Sequence, residues 1–253
     1  MIHLTSDNMS FSVIQAVCRG HKPLDIPCQD AMFIHESGDR LVVVVADGLG
    51  SCPRSHIGAQ TLCHVISRCC ANLSADIGGW EFLSENIPRF WRERIKSKAQ
   101  LDDIRDFSSV CGFLWINTKT CSGVAGRKGD ISILVQTDDG SAISVFPQTD
   151  KAFLNETECL CGRDDERLEL RPLAFNKALA FLIASDGIGD ELDAAQYDGL
   201  FAYLRGKYAG IKPQHRDSFF KREIKQVFGK KNNDDKRLLQ NPSRSPPTAA
   251  IAR

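Results

Sequence analysis

Apolar residues in this chain fall into short runs that are interrupted by two stretches of helical periodicity. Apolar positions spaced by three and four residues predict helices over 55–71 and 80–99. Runs rich in β-branched and aromatic residues predict strands instead. These strands are expected at 11–19, 31–36, 41–46, 110–117, 121–125, 131–136 and 142–146, the last four forming an antiparallel meander.

The second half of the chain has a weaker pattern. Residues 150–172 are polar and predict an irregular flap over a site, whereas the run at 178–184 predicts another strand. The remainder predicts helices at 193–204 and 216–228, a mobile loop at 229–247 and a short strand at 248–252.

The order of these elements indicates the fold class. Strands, two helices, more strands and then helices do not follow the regular alternation of a parallel doubly wound sheet. The order favours an α+β fold of two packed antiparallel sheets with helices outside. A length of 253 residues with 42% hydrophobic content favours a single domain over 1–253. A nucleotide-binding fold is disfavoured because Gly48-Leu49-Gly50 lacks the third glycine of a dinucleotide fingerprint.

Charge and cysteine content exclude further classes. Lys plus Arg equals Asp plus Glu at 32 each, so we expect no nucleic-acid partner and no membrane partner. The first residues lack a signal-peptide pattern, and we expect a cytoplasmic protein. The ten cysteines include no Cys-x-x-Cys pair, so most are expected to be small buried residues in a reducing compartment. Cys159-Leu160-Cys161 is the one cluster that invites redox chemistry, and an ordinary turn is the simpler interpretation of it.

Acidic residues stand at the ends of several predicted strands. Asp47-Gly48 follows the run at 41–46 directly, and Asp186-Gly187 follows the run at 178–184 in the same way. An ionised carboxylate at the end of a buried strand is costly unless positive charge meets it. Any one such motif is most simply a turn. Taken together, they predict a site for hard cations such as Mg²⁺ or Mn²⁺.

The order and spacing of these motifs resemble one family. Pro27-Cys28-Gln29-Asp30-Ala31 followed by Ala46-Asp47-Gly48-Leu49-Gly50-Ser51 is similar to the compact, stand-alone bacterial members of the type 2C metal-dependent protein phosphatases. The likeness extends from about Phe11 to Asp190. It implies a four-layer α-β-β-α sandwich and hydrolysis of phosphoserine and phosphothreonine in proteins.

The resemblance also assigns roles to residues. It implies that Asp47 bridges two Mn²⁺ or Mg²⁺ ions, that the Gly48 carbonyl binds one of them and that Asp186 binds the other. A water activated at this centre would attack phosphorus without a covalent enzyme intermediate. Asp47 and Asp186 are therefore the expected catalytic residues. Asp30 is expected at the metal site directly or through water, and Asp130 and Asp190 around a third, loosely held ion.

Two positions near the first acidic motif depart from the family pattern. Gln29 stands where many relatives carry Glu, which implies a weaker and neutral contact. Many relatives also have an Arg before this motif that grips the substrate phosphate, and it is missing here. His21, Lys22 and Arg54 are the alternative phosphate contacts, each of them equally compatible with a surface role.

The end of the chain allows two alignments with the family. In one, Asp234 or Asp235 supplies the last metal ligand. In the other, Ser245 stands at that position and Thr248 begins the last strand, so metal affinity falls and the protein is a weak enzyme or a pseudophosphatase that binds a regulatory partner. For the active reading, the expected partners are phosphoprotein substrates and a dedicated Ser/Thr kinase.

Overall fold

The chain is described from Pro27 onwards, with gaps. The computed structural model describes residues 27–71, 73, 80–100, 102–136, 139–147, 158–175, 180–186 and 193–212, and residues 215, 218 and 222 singly. The strands expected at 11–19 and 248–252 and the loop at 229–247 lie outside these residues, as does nearly all of the helix expected at 216–228.

Strands and helices account for most of the described residues. The strands are β1 Ala31–Ser37, β2 Arg40–Gly48, β3 Ser109–Asn117, β4 Ser122–Lys128, β5 Ser132–Gln136, β6 Ala142–Ser144, β7 Glu169–Ala174 and β8 Ala180–Ala184. The α-helices are α1 Ser55–Ala71, α2 Glu81–Ala99 and α3 Tyr197–Ala209, with short 3-10 helices at Ile104–Phe107 and Ala194–Gln196. None of the described helices combines the length and apolar character needed to span a membrane.

The strands form two antiparallel sheets. The first has the order β1-β2-β3-β4-β7 and the second the order β6-β5-β8. The chain changes sheet between β4 and β5, so the prediction of one continuous meander is wrong. Gly129 lies in this link at φ +91, and a Cβ there would lie 2.3 Å from Val110 Cγ1. Only glycine fits both the backbone conformation and the contact.

Strand β7 was missed by sequence reasoning, which placed residues 150–172 in an irregular flap. Glu169–Ala174 pairs with β4 at the edge of the first sheet. All six of its residues are exposed or half-buried, so its sequence lacks the apolar run of an inner strand. The edge position therefore explains why its composition resembles that of a loop.

Strand β2 supplies both layers of the core. Val42, Val44 and Ala46 belong to the cluster under helices α1 and α2. Leu41, Val43 and Val45 belong to the cluster between the two sheets. A strand buried on both faces is apolar throughout, which is why this run was the clearest strand in the sequence.

Helices cover the outer faces of both sheets. On the first sheet, Trp91 of α2 is fully buried and its Nε1–H donates to Gly58 O of α1 at 3.1 Å. On the second sheet, Asp198 of α3 accepts from the Ala142 backbone N–H at 2.6 Å, and Arg205 of α3 donates to Gln136. The layers thus run α-β-β-α, which confirms the predicted fold class.

Helix α2 carries one apolar residue that the sequence pattern misplaces. Phe82 fits the helical spacing of the core positions, yet it is 48% exposed, whereas Ile87 in the same helix is fully buried. The Phe82 ring lies against the ring of Phe90, with centroids 6.4 Å apart. The apolar periodicity of α2 therefore predicts at least one buried residue, Phe82, that is exposed in the structure.

This difference predicts unequal effects of two substitutions. Ile87→Ala removes buried methylenes and should lower the free energy of unfolding by about 3 kcal/mol. Phe82→Ala should lower it by only about 0.5 kcal/mol, because the ring is half in water already. Urea-induced unfolding followed by circular dichroism measures both values. Equal losses in the two variants would show that the described packing of α2 is incorrect.

Candidate active site

Asp30 and Asp47 face each other at one end of the first sheet. Ala31 pairs with Ala46 in the β1–β2 ladder, so the next step of the register places Asp30 opposite Asp47. Directly opposed residues in an antiparallel pair project from the same face. Asp47 continues the face of Val43 and Val45, which packs on the second sheet. Both carboxylates therefore project towards the space between the sheets.

Gly129 and Asp130 lie at this same end. Asp47 pairs with Val110 of β3. Cys111 pairs with Lys128 of β4, so the next step places Gly129 beside Val110. Asp130 follows immediately in the link to the second sheet. The link thus begins at the end of the sheet that carries Asp47.

Asp186 reaches this end from the second sheet. Ser132 pairs with Ala184 in the β5–β8 ladder, and Asp130 and Asp186 each lie two residues beyond this pair, at the same end of the second sheet. Strands β2 and β8 also contact each other. The fold therefore brings Asp30, Asp47, Asp130 and Asp186 to one end of the sandwich. All four are half-buried.

The chemistry of these groups suits a hard cation. Carboxylate oxygens and the Gly48 carbonyl are the ligand types that Mg²⁺ and Mn²⁺ prefer. Among the residues that the structure describes, no three His, Cys, Asp or Glu side chains stand together as a metal-binding group. The other predicted site residues lie outside the described residues: His21, Lys22, Asp190, Asp234, Asp235 and Ser245.

Gly48 allows the turn after β2 to pack closely. A Cβ at this position would lie 2.6 Å from the Cβ of Ser55, the first residue of α1. The Gly48 N–H donates to Gln29 O at 3.1 Å, and the Leu49 N–H donates to Ser108 O at 3.1 Å. A side chain at Gly48 would therefore push the start of α1 away from the Asp47 backbone.

Gln29 has a role that sequence reasoning missed. Its side chain is buried, and its Nε2 donates to Ser55 Oγ at 2.7 Å. The same nitrogen lies 3.4 Å from Leu49 O and 3.5 Å from Cys52 O. The amide therefore ties the segment that carries Asp30 to the loop that follows Asp47. A single sequence gives no signal for this contact, because the partners are mainly backbone atoms.

Arg54 is engaged with protein groups. Its guanidinium pairs with the Asp102 carboxylate and lies 5.8 Å from the Phe107 ring centroid. Its backbone N–H donates to Asp106 O at 3.0 Å. A substrate phosphate would have to compete with Asp102 for this side chain. A phosphate contact by Arg54 stays a prediction.

Residues 158–168 run beside the candidate site. Leu160 and Ser109 exchange two backbone hydrogen bonds of 2.9 and 3.1 Å. Ser109 in turn pairs with Gly48. Lys128 Nζ binds Glu158 Oε2 at 3.0 Å. This part of the predicted flap region is therefore ordered against the strand ends that carry the acidic residues.

The cysteines are only partly the buried residues that the sequence suggested. Of the nine in the described residues, four are buried and five are half-buried, and none forms a disulfide. Burial raises the pKa of Cys69 to about 11 and that of Cys111 to about 12. Burial likewise raises the pKa of Cys63 and Cys70. These four thiols are protonated and inert near neutral pH.

Two cysteines have the Cys-x₅-Arg spacing of phosphatases that use a cysteine nucleophile, but the structure fits neither to that role. The stretch from Cys121 to Arg127 runs into and along β4, so it is extended and cannot cradle a phosphate. In the second, burial and the Glu166 carboxylate raise the pKa of Cys161 to about 11, and Arg167 binds Glu85 at 3.2 Å. A nucleophilic cysteine needs a lowered pKa.

The Gln29 contacts predict the effect of restoring the family's usual acid. Gln29→Glu removes the amide donor and turns a carboxylate towards the Leu49 and Cys52 carbonyls. We expect the free energy of unfolding to fall by about 2 kcal/mol at neutral pH. The buried carboxyl should have a raised pKa, so part of this loss should be recovered as pH falls towards about 4.

Urea unfolding at several pH values, with Gln29→Met as the uncharged control, measures this effect. Gln29→Met removes the donor without adding charge, so its loss should not change with pH. A Gln29→Glu protein as stable as the wild type at neutral pH would contradict the assigned contacts.

Comparison with solved structures finds proteins of the same fold. RsbX, solved in complex with magnesium, aligns with a TM-score of 0.53 at 16% identity, over 73% of this chain and 77% of RsbX. Serine/threonine phosphatase Stp1 from Staphylococcus aureus gives 0.54 at 15% identity, over 67% and 74%. PppA, a regulatory component of the type VI secretion system in Pseudomonas aeruginosa, gives 0.53 at 15% identity, over 75% and 81%.

At these identities the structural likeness establishes the fold alone. A search of curated protein sequences finds no match. The sequence model of the protein phosphatase 2C family, by contrast, matches residues 18–222, which is most of the chain and includes Asp30, Asp47, Asp130 and Asp186. The chain therefore belongs to the protein phosphatase 2C family, as the order of its acidic motifs predicted.

Proposed function

We propose that this protein is a Mn²⁺- or Mg²⁺-dependent phosphatase that hydrolyses phosphoserine and phosphothreonine in proteins. The observation that carries the proposal is the strand register that gathers Asp30, Asp47, Asp130 and Asp186 at one end of the sandwich. Carboxylate oxygens at these half-buried strand ends are the ligand type that hard divalent cations prefer. Membership of a metal-dependent phosphatase family supplies the reaction class.

The described residues suggest how the cations would be held. Asp47, the Gly48 carbonyl and Asp186 are the proposed ligands of two ions, with Asp30 acting directly or through water. Bound ions would lower the pKa of a water molecule and offset the negative charge of the phosphoryl oxygens. Asp130 and Asp190 are proposed around a third ion, and Asp234 or Asp235 as the remaining ligand.

Several neighbouring contacts would keep these ligands in place. Gly48 brings the backbone of the Asp47 turn against Ser55, and the Gln29 amide joins that turn to the segment of Asp30. Both contacts are buried, so water does not compete for them. The backbone on either side of Asp30 and Asp47 would thereby be held in place before any cation binds, which lowers the cost of ordering these two ligands.

The proposal extends to the cellular partners. Phosphoproteins are the proposed substrates, and a Ser/Thr kinase in the same cytoplasmic compartment is the proposed counterpart in bacterial signalling. Family membership supports this part. The fold likeness to RsbX and PppA is consistent with it.

Substitution of the bridging carboxylate should abolish hydrolysis. Asp47→Asn removes the negative charge at the shared position and leaves one neutral carbonyl oxygen, and we expect Mn²⁺-dependent hydrolysis of an aryl phosphate to fall about a hundredfold or more. Asp39→Asn is the matched control, because Asp39 is an exposed residue at the opposite end of the β1–β2 hairpin. This control should keep wild-type activity.

A chelated sample and a phosphoserine peptide complete the experiment. The proposal requires activity that disappears with chelator and returns with Mn²⁺. Retained activity in Asp47→Asn, or no turnover in a folded wild-type protein supplied with Mn²⁺, would contradict it.

A further inference from the structure

Two cysteines flank Leu160 beside the candidate active site. Leu160 pairs with Ser109 in an isolated β-bridge, so the segment is extended there. Residues two apart in an extended segment project to the same side, which makes Cys159 and Cys161 neighbours on one face. Both cysteines are half-buried. The proposed hydrolytic chemistry uses neither of them.

Glu166 makes this pair unusual. Its side chain is 1% exposed, and its Oε1 accepts the Cys161 backbone N–H at 2.7 Å and the Cys161 thiol at 3.3 Å. Arg163 Nε lies 3.9 Å from the same oxygen. The other oxygen, Oε2, has no hydrogen-bond partner among the described residues. The Cys161 thiol is therefore one of three donor groups that meet this buried carboxylate.

We propose that Cys159 and Cys161 form a reversible disulfide by exchange with a small disulfide such as oxidised glutathione, and that this bond loosens the sheet end that carries Asp47. In the first exchange Cys161 Sγ bonds to one glutathione sulfur and the S–S bond of oxidised glutathione breaks; the Cys161 proton passes through Glu166 to the departing glutathione thiolate. In the second, Cys159 Sγ bonds to Cys161 Sγ, the bond between Cys161 and glutathione breaks, and the Cys159 proton passes to the second glutathione, which leaves as a thiol. The protein loses two hydrogen atoms, and two glutathione thiols form.

The geometry explains why this bond would disturb the segment. Cα atoms two residues apart in an extended chain are separated by about 6.6 Å, whereas a disulfide favours about 5.5–6 Å. Formation of the bond therefore contracts the backbone at Leu160. Both backbone hydrogen bonds between Leu160 and Ser109 depend on the extended conformation. Oxidation also removes the hydrogen bond that the Cys161 thiol donates to Glu166.

The disturbed contacts adjoin the candidate site directly. Ser109 pairs with Gly48, and the Leu49 N–H donates to Ser108 O at 3.1 Å. Glu158 O lies 3.0 Å from the Cβ position of Gly129, the residue before Asp130. A shift of residues 158–161 therefore acts on the backbone next to Asp47 and next to Asp130.

The thiol environment sets the speed of the reaction. Burial and the Glu166 carboxylate raise the pKa of Cys161 to about 11, and burial raises that of Cys159. Thiolate is scarce near neutral pH, so exchange should be slow. In some redox pairs a stabilised thiolate in the reduced form makes the disulfide form a strong oxidant, and this pair lacks such a thiolate. The pair should thus respond to sustained oxidising conditions and not to brief exposure.

Equilibration of the full chain in glutathione buffers of rising oxidised fraction tests the proposal. The tryptic peptide 152–163 contains both cysteines, so mass spectrometry after alkylation of free thiols detects the loss of two hydrogens within it. Hydrogen exchange should become about tenfold faster at the Ser109 and Leu160 amides in the oxidised protein. Dithiothreitol should reverse both changes.

Single variants identify the pair. Cys159→Ser and Cys161→Ser should each prevent the intrapeptide disulfide. Cys121→Ser is the matched control, since Cys121 is half-buried in the β3–β4 turn at the other end of the first sheet and its loss should leave the reaction intact. A Cys52–Cys159 disulfide, glutathione adducts without ring closure, or unchanged amide exchange would each overturn the proposal.

We also expect oxidation to lower phosphatase activity, and this expectation rests on the proposed function. The peptide mass and the amide exchange rates do not depend on it. A chain that is inactive even when reduced would contradict the proposed function and leave these two readouts to decide the disulfide. An active chain whose disulfide forms without loss of activity would overturn the link to the Asp47 end.

Discussion

The pairing of β2 on both of its sides is the constraint on which the rest of the structure depends. This strand pairs with β3 along its whole length and with β1 from Arg40 to Ala46, and it contributes buried side chains on both faces. A shift of one residue in either ladder would exchange the two buried faces and turn Asp47 away from the second sheet. The same register that forms the core thus places the carboxylate.

The turn after β2 holds the backbone beside Asp47 in the candidate site. Gly48 leaves room for Ser55, and the buried Gln29 amide closes the loop from the other side. Residues 158–161 then border the same strand ends through Ser109 and Glu158. Packing and hydrogen bonds thus surround the acidic residues on several sides, and the stability of these contacts and the geometry of the site are linked.

Sequence patterns predict the parts of this fold that local chemistry determines. Helix α1 begins and ends where it was predicted to, and each end of β2 lies within two residues of its predicted position. Both segments have a clear local pattern of apolar residues. The metal-site roles of Asp30, Asp47, Asp130 and Asp186 rest on family resemblance and not on periodicity, and they stay predictions. Strand β7, the change of sheet after β4 and the Gln29 contacts were missed, because each depends on partners distant in the sequence.

Calorimetric titration of the folded protein with Mn²⁺ tests the central claim most directly, because it asks whether the acidic strand ends form a metal centre without assuming any substrate. The account predicts binding of two ions by the wild-type protein and about tenfold weaker binding at one of them in Asp186→Asn. Absence of Mn²⁺ binding by a protein whose circular dichroism shows the native fold would contradict it.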